Sequence, residues 1–197
     1  MRAPENIRAI EKAGPDMMGF ICWENSCRYV DEVPTYLPQC IRVGVFVNPS
    51  SEYVVRKTNE LQLNCIQLHG KEDPQFCIKV KNETGLPIIK AISINTIEDI
   101  ETWTQYESVA DMLLFDTKCK SIGGSGEQFN WDILNHYQGN IPFLLAGGIG
   151  LEDVDRLLAW HHPMWIGIDI NSRFEEAPAM KNVEAITQFI KQIRSHE

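Results

Sequence analysis

The sequence predicts an α/β fold in which a parallel sheet, of the kind that closes into a (β/α)8 TIM barrel, is covered by helices. Short apolar runs alternate with segments of helical periodicity along the chain, which is typical of such a fold. The apolar runs are nearly continuous, as expected of strands buried on both faces. The 197 residues, 44% of them hydrophobic, suffice for one domain over residues 1–197. They fall short of the roughly 250 residues typical of a complete barrel.

Seven segments have the composition of buried strands. They are rich in Val, Ile, Leu and Phe, and residues that favour turns lie between them. The predicted strands cover residues 16–22, 41–46, 64–69, 87–92, 112–116, 142–146 and 164–169.

Eight helices are predicted around these strands. The first begins at Pro4, which suits the first position of a helix, and ends at Gly14, which can adopt a left-handed conformation. A last helix over residues 183–194 places its apolar side chains on one face. The other predicted helices cover residues 52–63, 74–84, 96–106, 131–137 and 151–160, with a weakly supported one at 33–37.

The order of the elements departs from that of a complete barrel, which begins with a strand. Here the first predicted element is a helix, so the sequence predicts an N-terminally truncated barrel that lacks strand 1. The strands at 16–22 and 164–169 would then each have an unpaired edge. We expect the gap to be filled by collapse of neighbouring segments or by self-association through the open edge.

Composition excludes several classes of partner. A formal net charge of -9 argues against a nucleic-acid or anionic-membrane surface, because such surfaces need clustered Lys and Arg. The six cysteines form no C-x-x-C pair and indicate reduced thiols. We find neither a signal peptide nor an apolar run approaching the about 20 residues that span a bilayer. These features predict a soluble cytoplasmic protein.

Polar residues follow the ends of three predicted strands. Asp116 ends one strand, and the glycine-rich segment 123–126 follows shortly after it. Two further strands run into Gly147-Gly148 and into residues 169–172. A carboxylate beside bare backbone N–H groups suits proton transfer on a phosphorylated substrate. The sequence therefore predicts that function lies on one face of the repeat.

Several motifs occur in order along the chain. They are Ser26-x-Arg28-Tyr29, residues 42–48, Gln67-Leu68-His69-Gly70, Phe115-Asp116-Thr117-Lys118, Gly123-Gly124-Ser125-Gly126 and Gly147-Gly148. On these motifs the sequence resembles phosphoribosylanthranilate isomerase of tryptophan biosynthesis, from end to end. The resemblance implies an eight-stranded barrel that catalyses an Amadori rearrangement of N-(5-phosphoribosyl)anthranilate. It implies no cofactor and no metal, and a phosphorylated sugar–anthranilate substrate as the partner.

The resemblance also implies roles for four side chains. Asp116 matches the general acid that protonates the furanose ring oxygen. Arg28 matches the position that holds the anthranilate carboxylate, which a guanidinium fork suits. His69 and Asp169 match polar pocket residues. Structural roles remain as alternatives, since an aspartate can cap a turn, an arginine can be solvated and a histidine at a strand end can be a satisfied structural group.

A phosphate cradle is implied in the loops after the last three strands. Turn geometry alone could also require glycines at such positions. The residues that match this cradle are Gly124, Ser125, Gly147, Gly148, Asn171 and Ser172.

The last of these loops departs from the family pattern. Residues 171–173 replace a commoner Ser-Ser-Gly, and Ala179 replaces the glycine usual after Pro178. We expect a stiffer loop. Arg173 either adds a charge to the phosphate site or points to solvent.

The general base of the family has no counterpart in this sequence. That base is a cysteine within Lys-x-Cys-Gly on the first strand, and Met1 corresponds to the residue just after this motif. We therefore expect turnover by these residues to be impaired. Cys22 and Cys27 are poor replacements, because Cys22 reads as a buried apolar residue and Cys27 has no evident activating partner beyond Arg28.

Two other functions compete with the isomerase. One is a non-catalytic phosphosugar-binding barrel or partner protein, which Arg28 and the loop glycines fit equally well. The other is a different phosphosugar barrel. An indole-glycerol-phosphate synthase would need catalytic lysine and glutamate at strand ends, but Lys90 has no matching set. A sugar-phosphate epimerase would need metal-ligating histidines, and residues 161–162 precede a strand at the opposite end of the barrel.

Overall fold

Seven strands form one sheet in which every neighbouring pair is parallel. The computed structural model describes residues 1–117 and 130–195. Each strand is hydrogen-bonded to the next one in sequence, as in a (β/α)8 barrel. In chain order the strands are β1 (Met17–Ile21), β2 (Ile41–Phe46), β3 (Cys65–Leu68), β4 (Ile88–Ile94), β5 (Met112–Thr117), β6 (Phe143–Leu145) and β7 (Trp165–Ile168).

The two faces of the sheet belong to separate hydrophobic clusters. Alternate side chains of a strand point to opposite faces, so Val43 joins an inner cluster while Phe46 packs on the helix side. The helix-side cluster is much the larger and includes Leu113 and Phe115, both fully buried. The inner cluster consists of Val43, Cys65, Ile89, Ala91, Leu114 and Ala146.

The helices begin and end where local sequence directs. Asp73 caps α3 by accepting a hydrogen bond from the Phe76 amide at 2.8 Å, and Gly85 ends it with φ of +68°. Gly14 likewise has φ of +79°, which confirms the left-handed conformation predicted after the first helix. The α-helices are α1 (Pro4–Glu11), α2 (Ser51–Leu61), α3 (Pro74–Thr84), α4 (Ile97–Glu101), α5 (Val154–Ala159) and α6 (Val183–Arg194).

Seven of the eight predicted helical regions are helical. The prediction of a helix at residues 33–37 is wrong, since that stretch is irregular. Pro38 explains this, because a proline disfavours helical geometry in the residue before it. Among the described residues no helix is both long and apolar enough to cross a membrane. Four short segments of the described chain form 3-10 helices, which are wound more tightly than α-helices. They are Thr102–Tyr106, Trp131–His136, Leu151–Asp153 and Ser172–Phe174.

The sheet is open between its first and last strands. Within residues 1–117 and 130–195, β1 and β7 each pair on one side only. The Met1 amine donates a hydrogen bond to the Gly19 carbonyl of β1 at 2.7 Å, so this residue lies against the free edge. Outside the gap α1 contacts α6, and Arg194 pairs with Asp16 at 2.7 Å. The open seven-stranded sheet that the sequence predicts is thus present.

A small hairpin follows β7 and was not predicted from the sequence. Its strands are β8 (Glu175–Ala177) and β9 (Met180–Lys181), which pair antiparallel. Ala179 in the turn has φ of +65°, a region that disfavours side chains with a Cβ. A glycine at this position would adopt that conformation without strain.

Candidate active site

A cavity of about 700 Å³ lies between β1 and β7. Both strands line it, and side chains from α6 close its outer side. Four of the predicted site residues also line it, so the fold brings together groups separated by more than 140 positions in sequence. These four are Arg28, His69, Asp169 and Asn171.

A chain of hydrogen bonds links β3 to β5 at the carboxyl ends of the strands. Nδ1 of His69 lies 2.8 Å from the side-chain amide nitrogen of Gln67. Nε2 of His69 lies 3.1 Å from Oδ2 of Asp116. When Nδ1 accepts a hydrogen bond from the Gln67 amide, Nε2 carries the ring proton and donates a hydrogen bond to Asp116. His69 therefore fixes the orientation of the Asp116 carboxylate, which keeps 28% of its side-chain area exposed. That exposure leaves it accessible to a substrate.

Asp169 differs from Asp116 in its surroundings. The pKa of Asp169 is raised from 3.8 to about 6, chiefly by burial and also by the negative charge of Asp116, while His69 and Lys181 oppose the shift. A carboxyl group with such a pKa can take up or release a proton near neutral pH. The carboxyl ends of the strands, which we call the rim, therefore present two carboxyl groups in contrasting environments.

Arg28 forms an ion pair that the sequence did not predict. Its Nε lies 3.0 and 2.8 Å from the two Glu175 oxygens, and its Nη2 lies 2.6 Å from Oε2. On the other side Lys181 Nζ donates to Glu175 Oε1 at 3.0 Å. We call Arg28, Glu175 and Lys181 the ion cluster. No local motif reveals it, because its members come from distant segments and meet only in the folded chain.

The ion cluster shifts the pKa values of its members. Burial by itself raises the pKa of Glu175, but the hydrogen bond from Arg28 and the charge of Lys181 outweigh it, so this pKa is lowered. The hydrogen bond to Glu175 raises the pKa of Arg28. Burial lowers the pKa of Lys181, against the opposing effect of Glu175. The carboxylate is thus held ionised between two cations.

The predicted phosphate residues have different surroundings. Gly147 and Gly148 have φ of +97° and +64°, so the chain needs glycines there for its geometry alone. Asn171 accepts hydrogen bonds from Lys181 Nζ through its backbone oxygen at 3.0 Å and its side-chain oxygen at 2.5 Å. Ser172 is exposed and begins a 3-10 turn. The predictions for Gly124 and Ser125 lie outside the described residues.

The structure shows the surroundings of the Cys22 thiol and of the Arg173 guanidinium. Cys22 is buried, and this burial raises the pKa of its thiol to about 12. The thiol therefore stays protonated at neutral pH and is unsuited to act as a base, as predicted. Arg173 pairs with Glu152, with both side chains largely exposed, so it is directed at a surface carboxylate.

A curled parallel sheet with ionisable groups at the carboxyl ends of its strands defines the class of β/α-barrel enzymes. Within this class, the family model for N-(5'phosphoribosyl)anthranilate (PRA) isomerase matches residues 2–192. The chain belongs to this family of isomerases of tryptophan biosynthesis. The resemblance inferred from the sequence motifs is confirmed.

Two curated relatives are similar over nearly their whole length. The N-(5'-phosphoribosyl)anthranilate isomerase of Phocaeicola vulgatus is 52% identical over 195 residues, covering 98% of this chain and 95% of the relative. The enzyme of the same name from Parabacteroides distasonis is 41% identical over 202 residues, covering 98% of this chain and 90% of the relative.

Solved structures show the same architecture. The phosphoribosyl anthranilate isomerase of Thermus thermophilus superposes with a TM-score of 0.82 at 28% identity, over 100% of both chains. A second isomerase structure, solved in complex with reduced 1-(o-carboxyphenylamino)-1-deoxyribulose 5-phosphate, has a TM-score of 0.78 at 26% identity over 99% of both chains. These matches confirm the relation to the TIM barrel.

Proposed function

We propose that this chain performs the ring-opening and substrate-binding parts of the isomerisation of N-(5'-phosphoribosyl)anthranilate to 1-(2-carboxyphenylamino)-1-deoxyribulose 5-phosphate. One observation carries the proposal. The Asp116 carboxyl group is oriented by His69 and lies at the strand ends, beside the cavity that Arg28 lines. Family membership supports the same reaction, because the matched relatives have this activity in their names.

Asp116 is proposed as the general acid. Its carboxyl proton passes to the furanose ring oxygen as the bond from that oxygen to C1 breaks, which yields an open-chain Schiff base. Removal of the C2 proton by a base then gives the enolamine, which tautomerises to the ketose product. The His69 hydrogen bond supports this role, because a fixed carboxyl group can meet the ring oxygen without reorganising.

Two groups of residues are proposed to hold the substrate. Arg28 binds the anthranilate carboxylate, for which a guanidinium offers paired donors. Backbone N–H groups around Gly147 and Gly148 bind phosphate together with Gly124, Ser125, Asn171 and Ser172. Asp169 contributes a polar contact inside the cavity. The positive φ angles of the two glycines support close approach of an anion to the backbone.

We further propose that an additional strand, supplied from outside residues 1–197, completes the barrel between β7 and β1. The two free edges line one cavity, and Ile166 on β7 is 55% exposed beside it. A strand there would satisfy the unpaired backbone groups of both edges. The resemblance puts the general base on this strand, so we expect impaired turnover without it. A second copy of the chain remains an alternative occupant.

The test compares three proteins for loss of anthranilate-type fluorescence during turnover. They are the 197-residue chain, the chain extended upstream by the family's first strand, and the same extension with serine in place of its cysteine. We expect activity from the cysteine form alone, because a general base contributes about 10²–10⁴-fold. The serine form separates completion of the sheet from supply of the base.

The contrary outcomes are distinct. Equal activity in all three proteins would show that the base lies within residues 1–197. Inactivity in all three, with the reduced product analogue still bound, would favour the non-catalytic phosphosugar-binding function.

A further inference from the structure

We infer that Glu175 is a positioning residue, which holds Arg28 so that the remaining edge of its guanidinium faces the carboxylate of the substrate. This inference rests on the proposed function and adds a residue that determines specificity. The match to the family motifs assigned no role to Glu175.

The contacts of Arg28 divide its guanidinium into two edges. Glu175 occupies the edge formed by Nε and Nη2, with distances of 2.6 to 3.0 Å. On the other edge, among the described residues, Nη1 contacts the Cys27 thiol at 3.5 Å. That edge belongs to a side chain that lines the cavity and keeps 24% of its area exposed. It can therefore accept a second carboxylate in the paired geometry that guanidinium groups favour.

Glu175 is itself rigidly held. Its side chain is 5% exposed, and the Ala179 amide donates to Oε1 at 3.1 Å across the turn of the hairpin. The register of that hairpin sets Glu175 opposite Lys181, which donates to the same oxygen. An anchor fixed by two other donors restrains a long arginine side chain before the substrate arrives, which reduces the entropy lost on binding.

The charges explain why this ion pair leaves Arg28 attractive to an anion. Arg28 and Lys181 carry two positive charges against the single negative charge of Glu175. The ion cluster thus retains one positive charge. The charges of Asp116 and Asp169 repel each other and repel an anionic group, which is therefore favoured beside Arg28. The positive charge of Lys181 offsets the negative charge of Glu175, and the Glu175 carboxylate orients the Arg28 guanidinium.

The experiment measures selectivity for the carboxylate, which overall folding does not determine. Isothermal titration calorimetry gives Kd for reduced 1-(o-carboxyphenylamino)-1-deoxyribulose 5-phosphate and for its phenylamino analogue without the carboxylate. We expect wild type to prefer the carboxylate form, and Glu175→Gln to lower this preference by about tenfold, which corresponds to one charge-assisted hydrogen-bonded contact. The matched control Glu152→Gln removes a glutamate from an exposed ion pair and should leave the preference unchanged.

A double-mutant cycle tests whether Glu175 acts through Arg28. In an Arg28→Ala background, Glu175→Gln should cause no further loss of preference. If Glu175→Gln fails to fold, Glu175→Asp provides the same test, because its shorter side chain cannot keep both contacts and should lower the preference a few-fold. An unchanged preference in Glu175→Gln or Glu175→Asp overturns the inference alone. If wild type itself shows no preference for the carboxylate, the role of Arg28 in the proposed function falls with it.

Discussion

The sector of the sheet around β3 to β5 and the sector around β7 and β1 differ in how their strand edges are paired. In the first, every strand is paired on both sides, and the buried ion pair of Lys90 and Glu72, at 3.0 Å, ties the end of β3 to β4. In the second, two strand edges are free, and a cavity separates them. The paired sector is complete within the described residues, whereas the open sector depends on contacts that reach across the chain.

This difference affects the carboxyl groups that each sector carries. Asp116 at the end of β5 receives a hydrogen bond from His69 and is oriented by it. Asp169 after β7 has no side-chain hydrogen bond to the described residues, and burial raises its pKa to about 6. The fixed hydrogen-bond donor supports a defined role in proton transfer for Asp116, whereas the raised pKa of Asp169 reflects the poor solvation of its carboxylate.

The sharpest test of the paired sector is Asp116→Asn. We expect kcat to fall by about 10²–10⁴-fold, because the amide cannot deliver a proton to the ring oxygen. The free energy of unfolding should change little, since the carboxylate is partly exposed. Steady-state kinetics on the strand-completed protein measures the effect, with exposed Asp132→Asn as the matched control. A variant that keeps more than a tenth of the activity would refute the role of Asp116.

A pair of apolar substitutions compares the packing of the two sectors. Leu113→Ala removes a fully buried side chain from β5 and should lower the free energy of unfolding by about 2–5 kcal/mol. Ile166→Ala on the free edge should change it by less than about 1 kcal/mol, because Ile166 is 55% exposed. Urea denaturation measures both.

The same two variants also sharpen the idea of an added strand. In the strand-completed protein the cost of Ile166→Ala should rise, because the new strand would cover this side chain. An unchanged cost would indicate that the strand does not enter the gap.

Asp169→Asn should produce a modest change in stability that depends on pH. The folded-state pKa of Asp169 lies above its unfolded value of 3.8, so ionisation destabilises the native state as pH rises from about 4 to about 6. The variant should therefore be more stable than wild type by roughly 1–3 kcal/mol at pH 7.5. This advantage should shrink towards pH 4.5. Denaturant melts at both pH values measure it, and a constant difference would contradict the burial effect.

The sequence predicts the paired sector well, because its signals are local. The strands read as continuous apolar runs, and His69 and Asp116 follow from their positions at strand ends. The helix predicted over residues 74–84 matches the bounds of α3, Pro74–Thr84. Where a proline follows, as at residues 33–37, the local preference for helix was overestimated.

The open sector was predicted less completely, and the reason is physical. The role of Glu175 depends on its ion pair with Arg28, which lies 147 positions earlier in the chain. Its hairpin depends on Ala179 adopting a conformation that the residue type disfavours, so no propensity points to it. The positive φ at Ala179 is the clearest sign that longer-range contacts override local preference there, including the hydrogen bond from the Ala179 amide to the Glu175 carboxylate.

The buried cysteines have a practical consequence for chemical labelling. Burial raises the pKa of Cys22 to about 12 and those of Cys65 and Cys77 to about 11, so these thiols resist alkylation and oxidation while the fold is intact. Cys27, in contrast, is exposed beside Arg28. A fluorophore attached there would sit at the mouth of the cavity, and its emission would report ligand entry without a turnover assay.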